Sequence, residues 1–152
     1  MDNRINQLID NWHSRNITGI FCRNRQDAVE KILEFIPLDS SVGFSGSVTL
    51  DQLGIIPLLE KRGNNVANPY RKDISRQESL NIRKKGAQSD FYLVSPNAIS
   101  FNGELVFFSA FGNRIAGISY CDNVIVVSGV NKIVEDLPQA IKRAREHATP
   151  MN

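Results

Sequence analysis

The sequence predicts an α/β layer fold in which helices flank a mostly parallel sheet that carries one β-hairpin. Short apolar runs alternate with amphipathic stretches of about ten residues or more, which is the pattern of chains that build parallel sheets. Three of these runs, Val42–Phe44, Phe91–Val94 and Val124–Val127, are apolar and precede small polar loops. A chain of 152 residues has the length of one ordinary domain, so we expect residues 1–152 to form a single domain.

The first half of the chain predicts alternating helices and short strands. Apolar residues recur at helical spacing between Ile5 and Trp12 and predict the first helix. Asn24 can cap a second helix, which Pro37 ends. The other elements are a short strand candidate at Ile17–Phe21, the buried strand Val42–Phe44, a helical stretch that follows Ser45-Gly46-Ser47, is interrupted at Gly54 and Pro57 and continues to Arg62-Gly63, and a weak strand at Val66-Ala67.

The second half contains a helix start, a hairpin and two further strands. Ser75 and Glu78 have the spacing of a capping box, so we expect a helix from Ser75 towards Gln88. Asn102-Gly103 predicts a two-residue hairpin turn, because both residues tolerate positive φ. Val42–Phe44, Phe91–Val94 and Val124–Val127 are expected to be neighbouring central parallel strands, the last being the clearest core strand. The remaining elements are a short helix opened by Gly112-Asn113-Arg114 and a last helix with Leu137, Ile141, Ala144 and Ala148 on one face.

The net charge argues against a dedicated nucleic-acid-binding protein. The chain has 18 basic and 16 acidic residues, a formal charge of +2, whereas such proteins usually have a strongly basic face. The charge is uneven, because residues 60–85 contain a local excess of lysine and arginine. This stretch is either a solvated helix with its loops or a surface that faces an anion.

Cysteine usage and hydropathy predict a protein of a reducing compartment. Cys22 and Cys121 are far apart and lack metal-ligand spacing, so we expect two thiols, no metal and no cofactor. The polar start of the chain has no apolar core of a signal peptide, and no run approaches the ~20 apolar residues of a membrane span. We therefore expect a cytoplasmic protein that binds neither membrane nor nucleic acid.

Small polar loops after the predicted strands are the candidate binding residues. In open α/β sheets, ligands bind outside the carboxyl ends of the strands, and helix N-termini there favour anions. Arg114 could add a bidentate contact and Lys132 a mobile charge, although a plain serine cap and a surface arginine are alternatives. We predict that an anion binds where these loops converge, with these ligand-binding candidates: Ser45, Gly46, Ser47, Asn97, Gly112, Asn113, Arg114, Asn131 and Lys132.

Glu104 is the one candidate for a catalytic carboxylate. It follows the predicted hairpin turn, where it is either a general base or nucleophile in a cleft or an exposed strand residue. His13 and His147 lie far from the candidate loops in sequence and are expected at the surface. No histidine or cysteine pair has metal-ligand spacing.

Five segments, taken in their order along the chain, carry a family resemblance: Val42–Leu50, Asp90–Ile99, Asn102–Val106, Gly112–Ala116 and Val126–Val134. Together they resemble the LUD domain, the lactate-utilisation family that includes the lactate utilization protein C type. The resemblance runs from about Asp27 to Asn152. Two loops depart from the family pattern: Ser45 stands where a glycine is usual, and Phe111 lies in a loop that usually reads Gly-Thr-Gly.

The resemblance implies a Rossmann-like fold of the NagB/RpiA/CoA-transferase-like superfamily and a link to the oxidation of L-lactate to pyruvate. It also implies partner subunits of the iron–sulfur and flavin type. An iron–sulfur cluster in this chain is not expected, because two distant cysteines cannot supply four thiolates.

Three functional hypotheses remain open from the sequence. We favour an accessory subunit in L-lactate oxidation that acts through protein contacts and a small anionic ligand, because no catalytic constellation is visible. The alternatives are a transferase or sugar-phosphate isomerase-like enzyme of the superfamily that uses Glu104, and a small-molecule sensor. The sequence does not decide whether the chain catalyses a reaction.

Overall fold

The computed structural model describes residues 3–148, which form seven α-helices and seven β-strands. The predicted α/β class, with a mostly parallel sheet flanked by helices, is confirmed. The helices are α1 (Asn3–His13), α2 (Arg25–Phe35), α3 (Val48–Leu53), α4 (Ile55–Arg62), α5 (Arg76–Gly86), α6 (Asn113–Tyr120) and α7 (Leu137–Arg143). The strands are β1 (Ser41–Phe44), β2 (Asn65–Ala67), β3 (Phe91–Val94), β4 (Ala98–Ser100), β5 (Leu105–Val106), β6 (Asn123–Val126) and β7 (Ile133–Val134).

The chain divides into two compact units. The first, called here the sheet unit, comprises residues 24–95 and 109–127. The second, called the hairpin unit, comprises the chain up to residue 23, residues 96–108 and the chain from residue 128 onwards. The expectation of a single domain over residues 1–152 stays a prediction.

The sheet unit contains a four-stranded parallel sheet in the order β2-β1-β3-β6. The predicted neighbouring and parallel arrangement of β1, β3 and β6 is therefore confirmed. The central placement of Val124–Val127 is wrong, because β6 lies at the edge of this sheet and Val126 is exposed. An apolar β-branched run predicts a strand, but its place in a sheet depends on pairing with distant segments.

The two faces of this sheet are packed differently. Val42 and Phe44 of β1 point into an apolar core formed with α2, α3 and α4, whereas Gly43 points to the opposite face. On that face α5 approaches so closely that a Cβ atom at Gly43 would overlap the carbonyl oxygen of Gly86. In the same way, a Cβ atom at Gly117 of α6 would overlap the ring of Tyr92 on β3. Glycine is therefore required for close helix–sheet packing at Gly43 and Gly117.

Local signals located most helices of the sheet unit correctly. Asn24 caps α2 by accepting from the Asp27 N–H, and Ser75 and Glu78 form the predicted capping box of α5. Gly54 separates α3 from α4 in a left-handed conformation with φ of 63°. Pro57 does not interrupt the helix, because it lies in the first turn of α4, where its missing N–H has no helical partner to lose.

The hairpin unit contains a three-stranded sheet in the order β5-β4-β7. The predicted two-residue turn at Asn102-Gly103 is wrong, since the loop also includes Phe101 and closes with a 3.0 Å bond from the Gly103 N–H to the Ser100 carbonyl. Of the three loop residues, only Gly103 has positive φ, at 99°, which is typical of a three-residue loop. Trp12 of α1 donates its indole N–H to the Gly103 carbonyl at 3.0 Å.

Two further sequence predictions differ in this unit. Ile17–Phe21 forms no strand, and Ile20 is 46% exposed, so this apolar run lacks the pairing that a strand needs. The regular α-helical part of the last helix ends at Arg143, and a π-helical turn over Ala144–Ala148 follows it. Ala140 and Ala144 are buried against Ala98 and Val106, while the side chain of Ala148 lies outside the described residues.

Both cysteines are thiols in the described chain, as predicted. The expectation that they bind no metal stays a prediction. Of the helices within residues 3–148, none has the length and apolar content that crossing a bilayer requires.

The close contact between β1 and α5 gives a test of the fold. We expect Gly43→Ala to lower the free energy of unfolding by about 2 kcal/mol or more, because the added methyl group overlaps backbone that cannot move independently. Gly86→Ala is the matched control: its Cβ atom would lie 3.4 Å from the nearest atom, so a change below about 1 kcal/mol is expected. Urea unfolding of both variants measures the difference, and equal stabilities would contradict the packing described.

Candidate functional site

The loop after β1 carries the first group of sequence-predicted residues. Ser45 is buried, and its N–H donates to the Leu93 carbonyl at 3.2 Å. The first residue of the loop is therefore still hydrogen-bonded to β3. Ser47 caps α3 by accepting from the Thr49 N–H at 3.1 Å. The alternative of a plain serine cap therefore describes Ser47 but not Ser45.

The structure brings Arg114 to this loop. Gly112 adopts φ of 76° with nothing within 4 Å of the place of a Cβ atom, and it turns the chain into α6. Arg114 follows in the first turn, where its Nε donates to Ser45 Oγ at 3.3 Å and its Nη2 donates to the Gly46 carbonyl at 3.0 Å. Two of the predicted segments thus meet at the carboxyl end of β1.

The surroundings of Arg114 are polar and partly buried. Burial lowers the pKa of its half-buried guanidinium, and the neighbouring phenols of Tyr70 and Tyr92 act in the opposite direction. Burial also raises the pKa of Tyr92, which donates its hydroxyl proton to the Asn113 carbonyl at 3.0 Å. Tyr92 therefore ties the start of α6 to β3 and remains a neutral donor at physiological pH.

Two functional candidates, Tyr70 and Arg83, are absent from the sequence prediction. The Gly46 N–H donates to the Tyr70 hydroxyl oxygen at 2.5 Å, and Nη1 of Arg83 donates to the same oxygen at 3.2 Å. The Arg83 guanidinium also lies 4.8 Å from the ring centres of Tyr70 and Phe111. Arg83 belongs to the excess of basic residues between 60 and 85, which could have indicated it as one side of an anion-facing surface.

A groove of about 280 Å³ lies beside this cluster. Its lining is mostly apolar and includes side-chain atoms of Arg83, Lys84 and Phe111 together with Asn113. Phe111 is 62% exposed. The bulky residue that departs from the family pattern is thus a wall of this groove.

A larger groove of about 490 Å³ lies elsewhere in the sheet unit. It is lined by Ser41 and Asn65, which begin β1 and β2, and by residues such as Arg71 and Lys85. It therefore opens towards the amino ends of the strands. Ligands of open α/β sheets bind at the carboxyl ends, so the smaller groove beside Arg114 is the better candidate.

Asn97, Asn131 and Lys132 belong to the hairpin unit. Asn97 is buried, and its side-chain oxygen accepts from the Phe108 N–H at 2.7 Å, which holds the segment after β5. Lys132 ends a 3₁₀ turn and donates from Nζ to the Pro96 carbonyl at 3.0 Å, whereas Asn131 is exposed. Their participation in one anion site with Arg114 stays a prediction.

Glu104 is held within the hairpin. Its carboxylate accepts a hydrogen bond from the Ser100 hydroxyl, and its N–H donates to Ser100 Oγ at 3.2 Å. The Ser100 bond is the main cause that lowers the pKa of Glu104, and Arg15 adds to it. A carboxylate with a lowered pKa is a weaker base, so this contact stabilises the turn and does not favour proton abstraction. His13 and His147 are exposed, as expected.

The fold and this cluster define an α/β protein with a candidate anion-binding site at the carboxyl end of its parallel sheet. The family model of the LUD domain matches residues 5–152, and the chain belongs to that family, which is associated with lactate utilization proteins. Neither a curated protein nor a solved structure matches the chain.

The contact between Ser100 and Glu104 predicts a pH dependence. We expect Ser100→Ala to raise the pKa of Glu104 towards its ordinary value, because the hydroxyl stabilises the charged carboxylate. A lowered folded pKa gives stability above the unfolded pKa of about 4.3, and this stability is lost as pH falls through the folded pKa. In the Ser100→Ala variant, the free energy of unfolding should therefore vary less with pH between about pH 5 and the folded pKa of Glu104.

Carboxyl-carbon NMR titration of Glu104 measures this shift directly. Ser119→Ala, at an exposed position of α6, is the control and should leave the titration unchanged. An unshifted Glu104 titration in Ser100→Ala would contradict the role given to the hydroxyl.

Proposed function

We propose that the chain is an accessory subunit of a system that oxidises L-lactate to pyruvate, and that it binds a small carboxylate anion beside Arg114. The observation that carries this proposal is the half-buried guanidinium of Arg114 at the carboxyl end of β1, hydrogen-bonded to Ser45 and Gly46. Membership of the LUD domain family supports the link to lactate utilization.

The chemistry of the site fits this class of ligand. L-Lactate and pyruvate are small carboxylates, and a guanidinium is a permanently charged planar donor suited to a carboxylate. Arg114 lies in the first turn of α6, where the helix dipole adds a partial positive charge. Arg83 and Lys84 add positive charge along the neighbouring groove.

The accessory role rests on what the residues supply. Arg114 and the glycine-bearing loop offer binding and orientation, whereas the one candidate catalytic carboxylate, Glu104, is bound to Ser100 within its own hairpin. Redox chemistry on lactate needs an electron acceptor, which partner subunits of the iron–sulfur or flavin type would supply. Those partners are part of the proposal.

Calorimetric titration with pyruvate and L-lactate tests the binding site. We expect Arg114→Ala to weaken binding by roughly tenfold to a hundredfold, which is the effect of losing a hydrogen bond to a charged group. Arg114→Lys should recover only part of the affinity, because an ammonium lacks the planar fork. In a thermal-shift screen, a ligand at about 100 times its Kd should stabilise the protein by about 2.7 kcal/mol.

Arg76→Ala is the matched control, because Arg76 is an exposed arginine at the start of α5. Circular dichroism verifies that each variant is folded. Lys132→Ala shows whether the hairpin unit shares the site: a loss like that of Arg114→Ala would support a shared site. Equal affinities of wild type and both Arg114 variants would refute the proposed binding site.

A further inference from the structure

We propose that the hydroxyl oxygen of Tyr70 occupies the position of a ligand carboxylate oxygen, and that the ligand binds by displacing it. This inference rests on the proposed function, because it names the groups that hold the same small carboxylate. The ligand oxygen would take the Gly46 N–H and the Arg83 guanidinium as its donors.

The donor set around Tyr70 carries the inference. Its hydroxyl oxygen accepts from a backbone N–H at 2.5 Å and from a guanidinium at 3.2 Å. A backbone N–H and an arginine converging on one oxygen form an arrangement suited to an anion. A phenol is a neutral acceptor at physiological pH, so a carboxylate oxygen would gain charge-assisted bonds in its place.

Gly46 makes this approach possible. A Cβ atom at this position would lie 2.8 Å from the Tyr70 hydroxyl oxygen, so a side chain here would crowd any oxygen bound to the N–H. The carbonyl of the same residue accepts from Arg114 at 3.0 Å, which fixes the orientation of the loop. Arg114 therefore holds the peptide group after Gly46, while the N–H of Gly46, in the peptide group before it, donates to Tyr70.

Tyr70 can leave more readily than the other tyrosine of the site. It is 44% exposed and lies between β2 and α5, in a stretch without regular secondary structure. Its ring contacts are Phe44, with ring centres 5.5 Å apart, and the Arg83 guanidinium. Tyr92, by contrast, is 1% exposed and hydrogen-bonded to the start of α6.

The groove beside Arg83 provides room for the rest of the ligand. Arg83 contacts Tyr70 and also lines the groove of about 280 Å³ together with Lys84 and Phe111. A carboxylate between Gly46 and Arg83 would thus contact one of the residues that line this groove. A small monocarboxylate matches the single oxygen position that Tyr70 leaves, whereas inorganic phosphate is the competing source of an anionic oxygen.

Titration of Tyr70→Phe with pyruvate tests the displacement. Phenylalanine keeps the ring but lacks the competing oxygen, so we expect pyruvate affinity to rise by about two- to tenfold, the range of one net hydrogen bond. Tyr120→Phe is the matched control, because Tyr120 is 71% exposed at the end of α6, and it should have no effect. An unchanged or lower affinity of Tyr70→Phe would overturn the inference.

The Arg83→Gln variant distinguishes two roles of Arg83, direct contact with the ligand and support of Tyr70. If Arg83 binds the carboxylate, the substitution weakens pyruvate binding by tenfold or more in both wild type and Tyr70→Phe. If Arg83 only holds Tyr70, affinity rises in wild type and does not change in Tyr70→Phe, and the inference fails. The Gly46 amide NMR signal should shift when pyruvate is added, and its failure to shift would also count against the inference.

The outcomes distinguish this inference from the proposed function. Pyruvate binding that depends on Arg114 but not on Tyr70 or Arg83 would leave the proposed function standing and overturn only the displacement. Absence of pyruvate and L-lactate binding in wild type and in Tyr70→Phe would overturn both. Tighter binding of phosphate than of pyruvate by Tyr70→Phe would refute the assignment to a carboxylate.

Discussion

The close approach of β1 and α5 at Gly43 and Gly86 determines where the residues of the candidate site lie. A strand and a helix whose backbones touch cannot slide past each other without a steric overlap, so the register of this contact is fixed. Gly46 lies three residues after Gly43, and Arg83 lies three residues before Gly86. The glycine contact therefore brings the loop after β1 and the last turns of α5 to the same end of the sheet, where both contact the Tyr70 hydroxyl.

On the same face of the sheet, α6 is also positioned by a glycine that contacts a strand residue. Gly117 lies against the ring of Tyr92, and the hydroxyl of Tyr92 holds the Asn113 carbonyl one turn earlier in α6. These two contacts with Tyr92 fix the start of α6 and therefore the position of Arg114 in its first turn. The opposite face of the sheet packs the large aliphatic side chains of α2, α3 and α4. The apolar core cluster thus lies on one face of the sheet, while the face with the glycines positions polar groups.

Sequence reasoning succeeded where the signal is local and failed where distant segments decide. The caps at Asn24 and Ser75 depend on neighbouring residues, so their helices were predictable. The edge position of β6 depends on pairing with β3 alone, which its apolar composition does not encode. The loop after β1 was identified from the rule for strand ends, but Tyr70 comes from a loop without a motif, and only the tertiary contact to Gly46 reveals it.

A nearly neutral chain cannot attract a small anion through its overall field, so recognition has to be local. Arg114 and Arg83 are both half-buried, and removing a guanidinium from water costs free energy that only polar partners offset. Protein oxygens from Ser45, Gly46 and Tyr70 supply part of this compensation. These three acceptors are neutral, and the proposed carboxylate would add a negatively charged partner beside them. Because Arg114 already orders the loop at Gly46, the proposed ligand would need binding free energy to displace Tyr70 but little to arrange the loop.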